Sequence, residues 1–108
     1  MELHIHDLRK LCMNSRTMLT QHAFRRCLER GIEIQDMETV IMRGAIIEQY
    51  PDDTPYPSCL IFGRTPDGLP LHVVVGSDGK KLWFITSYYP DADTWEADYQ
   101  TRKEGGEK

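Results

Sequence analysis

The chain has 108 residues, 40% of them hydrophobic and 28% charged, with a formal net charge of −4. That is ordinary globular composition for one domain over residues 1–108; it excludes a disordered chain, and the length leaves no room for a second core. The acidic balance excludes a basic shell wrapped round the molecule, so any grip on a nucleic-acid backbone has to come from a local cluster.

The charge is uneven along the chain. Residues 1–50 carry seven acids and seven bases, whereas residues 51–108 carry ten acids and six bases. No run approaches the length of a membrane span, and Met1-Glu2-Leu3-His4 lacks the basic-then-apolar start of a signal peptide. A soluble, cytoplasmic protein without membrane contact is the expectation. Cys12, Cys27 and Cys59 are far apart and form no Cys-x-x-Cys pair, so neither a disulfide framework nor a zinc site is indicated. Each is flanked by apolar residues and reads as a small buried hydrophobe.

In chain order, Leu3, Leu8, Leu11 and Cys12 fall at helical spacing and predict a first helix over 3–13, with Asn14-Ser15-Arg16 as a break. Thr20 is the expected N-cap of a second helix, Gln21 to Arg30, with Gly31 as its stop. Ala23, Phe24, Cys27 and Leu28 form its expected apolar stripe. A third helix is predicted from Gln35 to Arg43, burying Met37, Val40 and Ile41 and ending at Gly44.

Beyond Gly44 the period changes to extended. Strands are predicted over 45–50, 58–64, 71–75 and 82–89, separated by the loop at Pro51–Pro55, the turn at Pro66-Asp67-Gly68 and the hairpin signal Asp78-Gly79. Trp95 to Lys103 is expected to be a short helical segment docking Trp95, and residues 104–108 a flexible tail. The fold class is therefore α+β: two to three N-terminal helices packed on a four-stranded antiparallel meander. The strands are apolar on both faces. One face takes the helices; the other is expected to hold a pocket, the C-terminal segment or a dimer contact.

His22, Arg26 and Arg30 are spaced four apart and share one side of the second helix. An imidazole that titrates near neutral pH beside guanidinium groups suits phosphodiester chemistry, the His moving protons and the Arg holding phosphate oxygens. An ordinary solvated helix face has the same look. His72 lies between Leu71 and Val73, so it projects to the opposite sheet face and is either a second acid or base or a hydrogen-bonded, half-buried histidine. Arg25, Tyr88 and Arg102 are further candidates for substrate binding, with packing and surface pairing as their alternatives. His4, His6 and Asp7 lack metal-ligand spacing, and no phosphate loop, dinucleotide fingerprint or nucleophile elbow is present. No metal or cofactor is expected.

Thr20-x-His22-Ala23-x-x-Arg26-x-x-x-Arg30-Gly31-Ile32 leads into Gly44-x-Ile46-Ile47-Glu48-x-Tyr50. Leu71-His72-Val73-Val74-Val75 follows, and then Ile85-Thr86-x-Tyr88-x-Pro90-Asp91 and Trp95-Glu96-x-Asp98-Tyr99-x-x-Arg102. Over residues 19–103 this resembles the small bacterial proteins grouped as domain-of-unknown-function family 4258. That family looks related to RelE-like and BrnT-like toxins, ribonucleases paired with antitoxins. The resemblance implies helices followed by a sheet of about four antiparallel strands. It also implies a metal-independent endoribonuclease, in which a base activates the ribose 2′-hydroxyl and cations stabilise the transition state. An RNA substrate and a small antitoxin-like protein are the implied partners.

Two functions of different class therefore stand side by side, with a small-ligand binder in a pocket under Trp83 or Trp95 as a third alternative. One is an RNA-directed nuclease with His22, Arg26, Arg30 and His72 converging on an open face. The other is a non-catalytic module of the same fold, acting through protein contact or as a homodimer. An apolar patch on the open sheet, with the histidines apart, favours the second.

Overall fold

A computed structural model describes residues 1–104; the remainder of the expected tail, residues 105–108, lies outside the described residues. The elements are α1 (Ile5–Met13), β1 (Thr17–Leu19), α2 (Gln21–Arg30), α3 (Ile34–Arg43), β2 (Ala45–Tyr50), β3 (Ser58–Arg64), β4 (Pro70–Ser77) and β5 (Leu82–Tyr88).

The helices begin and end where local chemistry requires. The Thr20 hydroxyl accepts from the Ala23 amide at 3.0 Å, and Gly31 closes α2 in the left-handed region at φ 69°. α3 opens with a reciprocal capping box between Glu33 and Asp36. Its far end is held by α1: Arg9 donates from Nε to the Ile41 carbonyl at 3.0 Å and from Nη2 to the Gly44 carbonyl at 2.9 Å. A guanidinium there satisfies acceptors that the helix itself leaves open.

Strands β2 to β5 form the expected antiparallel meander, but the sheet has five strands in the order β1-β5-β4-β3-β2 and is mixed. β1 pairs in parallel with β5, Thr17 opposite Leu82 through Leu19 opposite Phe84. A four-stranded, wholly antiparallel sheet is thereby corrected. Three residues are too few to display a period of two, so β1 leaves no pattern in the sequence.

The core lies between the sheet and helices α1 and α3. It is built from Leu8, Met37, Val40 and Ile41 against Cys59, Ile61, Leu71, Val73, Val75, Leu82 and Phe84. α3 lies close on β3 because two glycines face each other. A Cβ on Gly44 would stand 2.3 Å from the Phe62 carbonyl oxygen, and one on Gly63 would stand 3.2 Å from Val40.

Two expectations fail in informative ways. Phe24 and Leu28 do not belong to a buried stripe: they are 48% and 66% exposed, while Ala23 and Cys27 are the buried residues of α2. The segment from Trp95 to Lys103 is not helical but a series of turns closed by an isolated bridge between Trp95 and Arg102. Asp91 and Asp98 explain this, since each carboxylate accepts from amides two and three residues further on. Such bonds offer the backbone a turn in place of a helix. Among the described residues no helix is long and apolar enough to cross a membrane.

Candidate functional site

Alternation along β3, β4 and β5 sends Leu60, Phe62, His72, Gly76, Trp83 and Tyr88 to the sheet face turned away from α1 and α3. Cross-strand register sets them in rows: Phe62 opposite His72 opposite Tyr88, and Ser58 opposite Gly76 opposite Trp83. This outer face divides into a covered end and an open end.

The covered end is centred on His72, which is fully buried. Its Nε2 lies 2.7 Å from the Tyr99 carbonyl, which can only accept, so Nε2 carries the proton. In the neutral ring Nδ1 is then the acceptor and faces the Tyr88 hydroxyl at 3.4 Å. Trp95 meets the imidazole edge-on with centroids 4.5 Å apart, and Phe62 and Tyr88 crowd it at 5.8 and 5.3 Å. Burial pushes the His72 pKa below its ordinary value, partly opposed by the Tyr99 carbonyl and by Glu48. Burial likewise raises the Tyr88 phenol.

Beside this cluster Arg102 grips Glu48 at both carboxylate oxygens, 2.7 Å from Nε and 3.1 Å from Nη2, and lies over the Trp95 ring at 4.6 Å. The hydrogen bonds from Arg102 hold the Glu48 carboxyl below its usual range. The Tyr50 hydroxyl also bonds to Glu48, and burial followed by that carboxylate pushes the phenol up to about 12.

The open end is a hollow of about 340 Å³ lined by Thr20, Thr54, Pro55, Tyr56, Gly76, Trp83 and Ile85. Gly76 forms its floor, where a Cβ would come within 3.2 Å of Ile85 Cδ1. Tyr56 stacks on Trp83 at 6.3 Å, and Ile85 remains 38% exposed. The indole N–H of Trp83 is buried without a hydrogen-bond partner, a cost of about 1–3 kcal/mol for a neutral donor.

The four residues singled out for catalysis do not meet. His22 is exposed in the first turn of α2, about 12 Å of helix rise from Arg30. Arg26 is exposed and pairs with Glu29 on its own helix at 3.2 Å, and Arg25 is exposed on the same helix. Arg30 alone reaches the sheet, donating to the Ser87 carbonyl at 2.6 Å and to Thr86 Oγ1 at 3.3 Å. It therefore shares the end of β5 with Tyr88 and His72, and Arg102 borders the same cluster. Glu48 and Tyr50 were not among the residues expected in a site, and Trp83 and Trp95 were expected there only as the cover of a small-ligand pocket. The alternation of β5 implied an outward Trp83 beside Ile85, whereas the partners of Glu48 became visible only in three dimensions. Among the described residues no group of three or more metal-binding side chains converges.

Residues 19–89 match the profile of a family described as a domain of unknown function, DUF4258. This chain belongs to the DUF4258 family. The match starts at β1 and stops just past β5, short of the expected residue 103, so the family region holds Glu48, His72, Tyr88 and the hollow but not Trp95 or Arg102. No curated protein and no solved structure matches the chain. The family description therefore brings no activity to these residues.

Proposed function

We propose that this DUF4258 chain is a non-catalytic, toxin-fold-like contact module that docks a small basic protein, an antitoxin-like partner, on the open end of its sheet. The observation that carries this reading is the apolar hollow over Gly76, Trp83 and Ile85. A partner inserting an apolar side chain would bury the exposed Ile85 and the apolar lining around it. The charge of the partner is inferred from the loop beside the hollow. Asp52 and Asp53 precede Thr54 in the loop that walls the hollow, in the half of the chain that carries the excess of acids. Like charges are excluded there and basic ones drawn in.

A photo-crosslinker placed at Tyr56 in producing cells should trap one discrete small basic protein. That protein, purified, should bind the wild-type chain saturably and lose at least about tenfold in affinity for Ile85→Asp, a step of about 1.4 kcal/mol. Binding that Ile85→Asp leaves unchanged, with the variant folded, defeats the docking reading.

A second reading has its own observation. Arg30, Tyr88 and His72 converge at the end of β5, and a metal-independent endoribonuclease, as in RelE-like and BrnT-like toxins, would use a cation and proton-transfer groups of that kind. His22, Arg25 and Arg26 would then serve as an RNA-facing helix edge. Growth arrest on induction of this chain alone, relieved by Arg30→Ala or Tyr88→Phe and by His22→Ala or Arg26→Ala, would move the function to RNA cleavage.

A further inference from the structure

The segment from Asp91 to Glu104 crosses the covered end of the outer face as a strap, and its attachments are unlike those of the sheet beneath it. Its backbone hydrogen bonds are internal: Glu96 to Thr101, Tyr99 to Glu96, Lys103 to Thr94. Among the described residues, hydrogen bonds from strap to sheet run only through side chains, His72 to the Tyr99 carbonyl and Arg102 to Glu48. Trp95 is its one buried residue, at 3% exposure, while most of the rest is exposed. Tyr99 is held at φ 60°, a left-handed conformation that costs a non-glycine residue about 1 kcal/mol or more. The receiving residues, Glu48, Phe62, His72 and Tyr88, lie inside the family region; the strap lies beyond it.

We infer that the outer face around His72 is a peptide-binding groove, closed in this state by the chain's own strap. Its ligand is a partner segment presenting an aromatic side chain, a backbone carbonyl about four residues later and an arginine about three residues after that. Each part of this description is read from the occupant now in place. The edge of an aromatic ring packs on the imidazole, the carbonyl takes the Nε2 proton, and a guanidinium is paired bidentately by Glu48. A carboxylate set beside an aromatic cluster selects a cationic segment over an acidic one. The strap is an intramolecular competitor, so the apparent affinity for an outside segment is reduced by the fraction of chains that are closed. The inference stands apart from docking at Trp83, since it concerns a different end of the face and is tested with this chain alone.

The experiment uses the full chain and a fluorescent synthetic peptide with the sequence of residues 91–104. Fluorescence anisotropy should show saturable binding to the Trp95→Ala chain, roughly tenfold or more tighter than to wild type, because the tethered competitor has lost its anchor. Adding Glu48→Gln to that variant should weaken the peptide several-fold, and a peptide whose own Trp is replaced by Ala should not bind. Hydrogen exchange on the wild-type chain provides a measurement that no variant can spoil. The amides of Glu96, Tyr99 and Lys103 should exchange on the order of a hundredfold faster than those of β3 and β4, through opening of the strap alone. Strap amides that exchange only when the sheet unfolds, or a folded Trp95→Ala chain without saturable binding, overturns the inference. A wild-type dimer that Trp95→Ala abolishes would overturn the separate partner and make a second copy's strap the occupant.

Discussion

Replacing Gly44 by Ala tests the packing that sets α3 against the sheet. The backbone at Gly44, φ −90° and ψ −165°, is open to any residue, so an effect there is one of space and not of conformational freedom. An added Cβ would stand 2.3 Å from the Phe62 carbonyl oxygen and 2.5 Å from that of Val40, one on β3 and the other in α3. Both are backbone atoms and no rotamer relieves the clash. The helix end has to move away from β3 by about an ångström, which also loosens the contact between Gly63 and Val40 and the two bonds from Arg9. Overpacking of this kind costs about 3 kcal/mol, the upper end of its usual range. With a urea dependence of about 1–3 kcal/mol per molar, the unfolding midpoint should fall by roughly 1–3 M. Gly31→Ala is the matched control: nothing lies within 4 Å of its Cβ, and only the left-handed φ of 69° opposes the change, at about 1 kcal/mol. Urea unfolding followed by tryptophan fluorescence separates the two. If Gly44→Ala costs no more than Gly31→Ala, the close approach of α3 and β3 is wrong.

Acid sensitivity should have two stages. His72 has a folded-state pKa depressed below its ordinary 6.5, so the unfolded chain takes up that proton first as pH falls. Its stabilisation is complete above about pH 6.5 and is lost as pH drops through the folded value. Glu48 is also depressed, from 4.5, and its contribution disappears at lower pH by the same sign. Urea midpoints measured from about pH 8 to about pH 2 should flatten below about pH 6.5 for His72→Gln and below about pH 4.5 for Glu48→Gln; unchanged slopes refute the buried neutral imidazole and the clasp. Arg9→Ala should cost about 1.5–3 kcal/mol, because one charged donor serves two carbonyls at the end of α3; a midpoint within error of wild type would refute that role. In the native chain a thiol reagent should modify Cys12 first, since Cys27 and Cys59 are buried and burial pushes the Cys59 thiol up to about 12; mass spectrometry with early label on Cys59 would contradict the core.

The candidate site was legible only in part. Alternation in a strand put His72 on the sheet face opposite Leu71 and Val73, where the structure has it, next to Tyr88. Whether His72 was open or covered depended on the strap, twenty-three residues further along, and no local pattern reports such a contact. The four-residue spacing of His22, Arg26 and Arg30 correctly gave one helix side. That side spans more than two turns, and only its last residue reaches the sheet. The apolar appearance of Phe24 and Leu28 was misleading because α2 packs on the body through the small residues Ala23 and Cys27, with Arg30 bonding to β5 at its end, and leaves Phe24 and Leu28 outside.

Local chemistry was enough to determine all three helices, the Thr20 and Gly31 caps, the four strands of the meander and the break at Asn14–Arg16. Each follows from interactions within a few residues, which a single sequence displays. Tertiary structure alone decided the parallel addition of β1 to β5, the turn conformation and docking of the strap, the pairing of Arg102 with Glu48 and the hollow over Trp83. Those features rest on contacts between residues distant in the chain, whose energies depend on the shape of the assembled sheet rather than on any segment by itself.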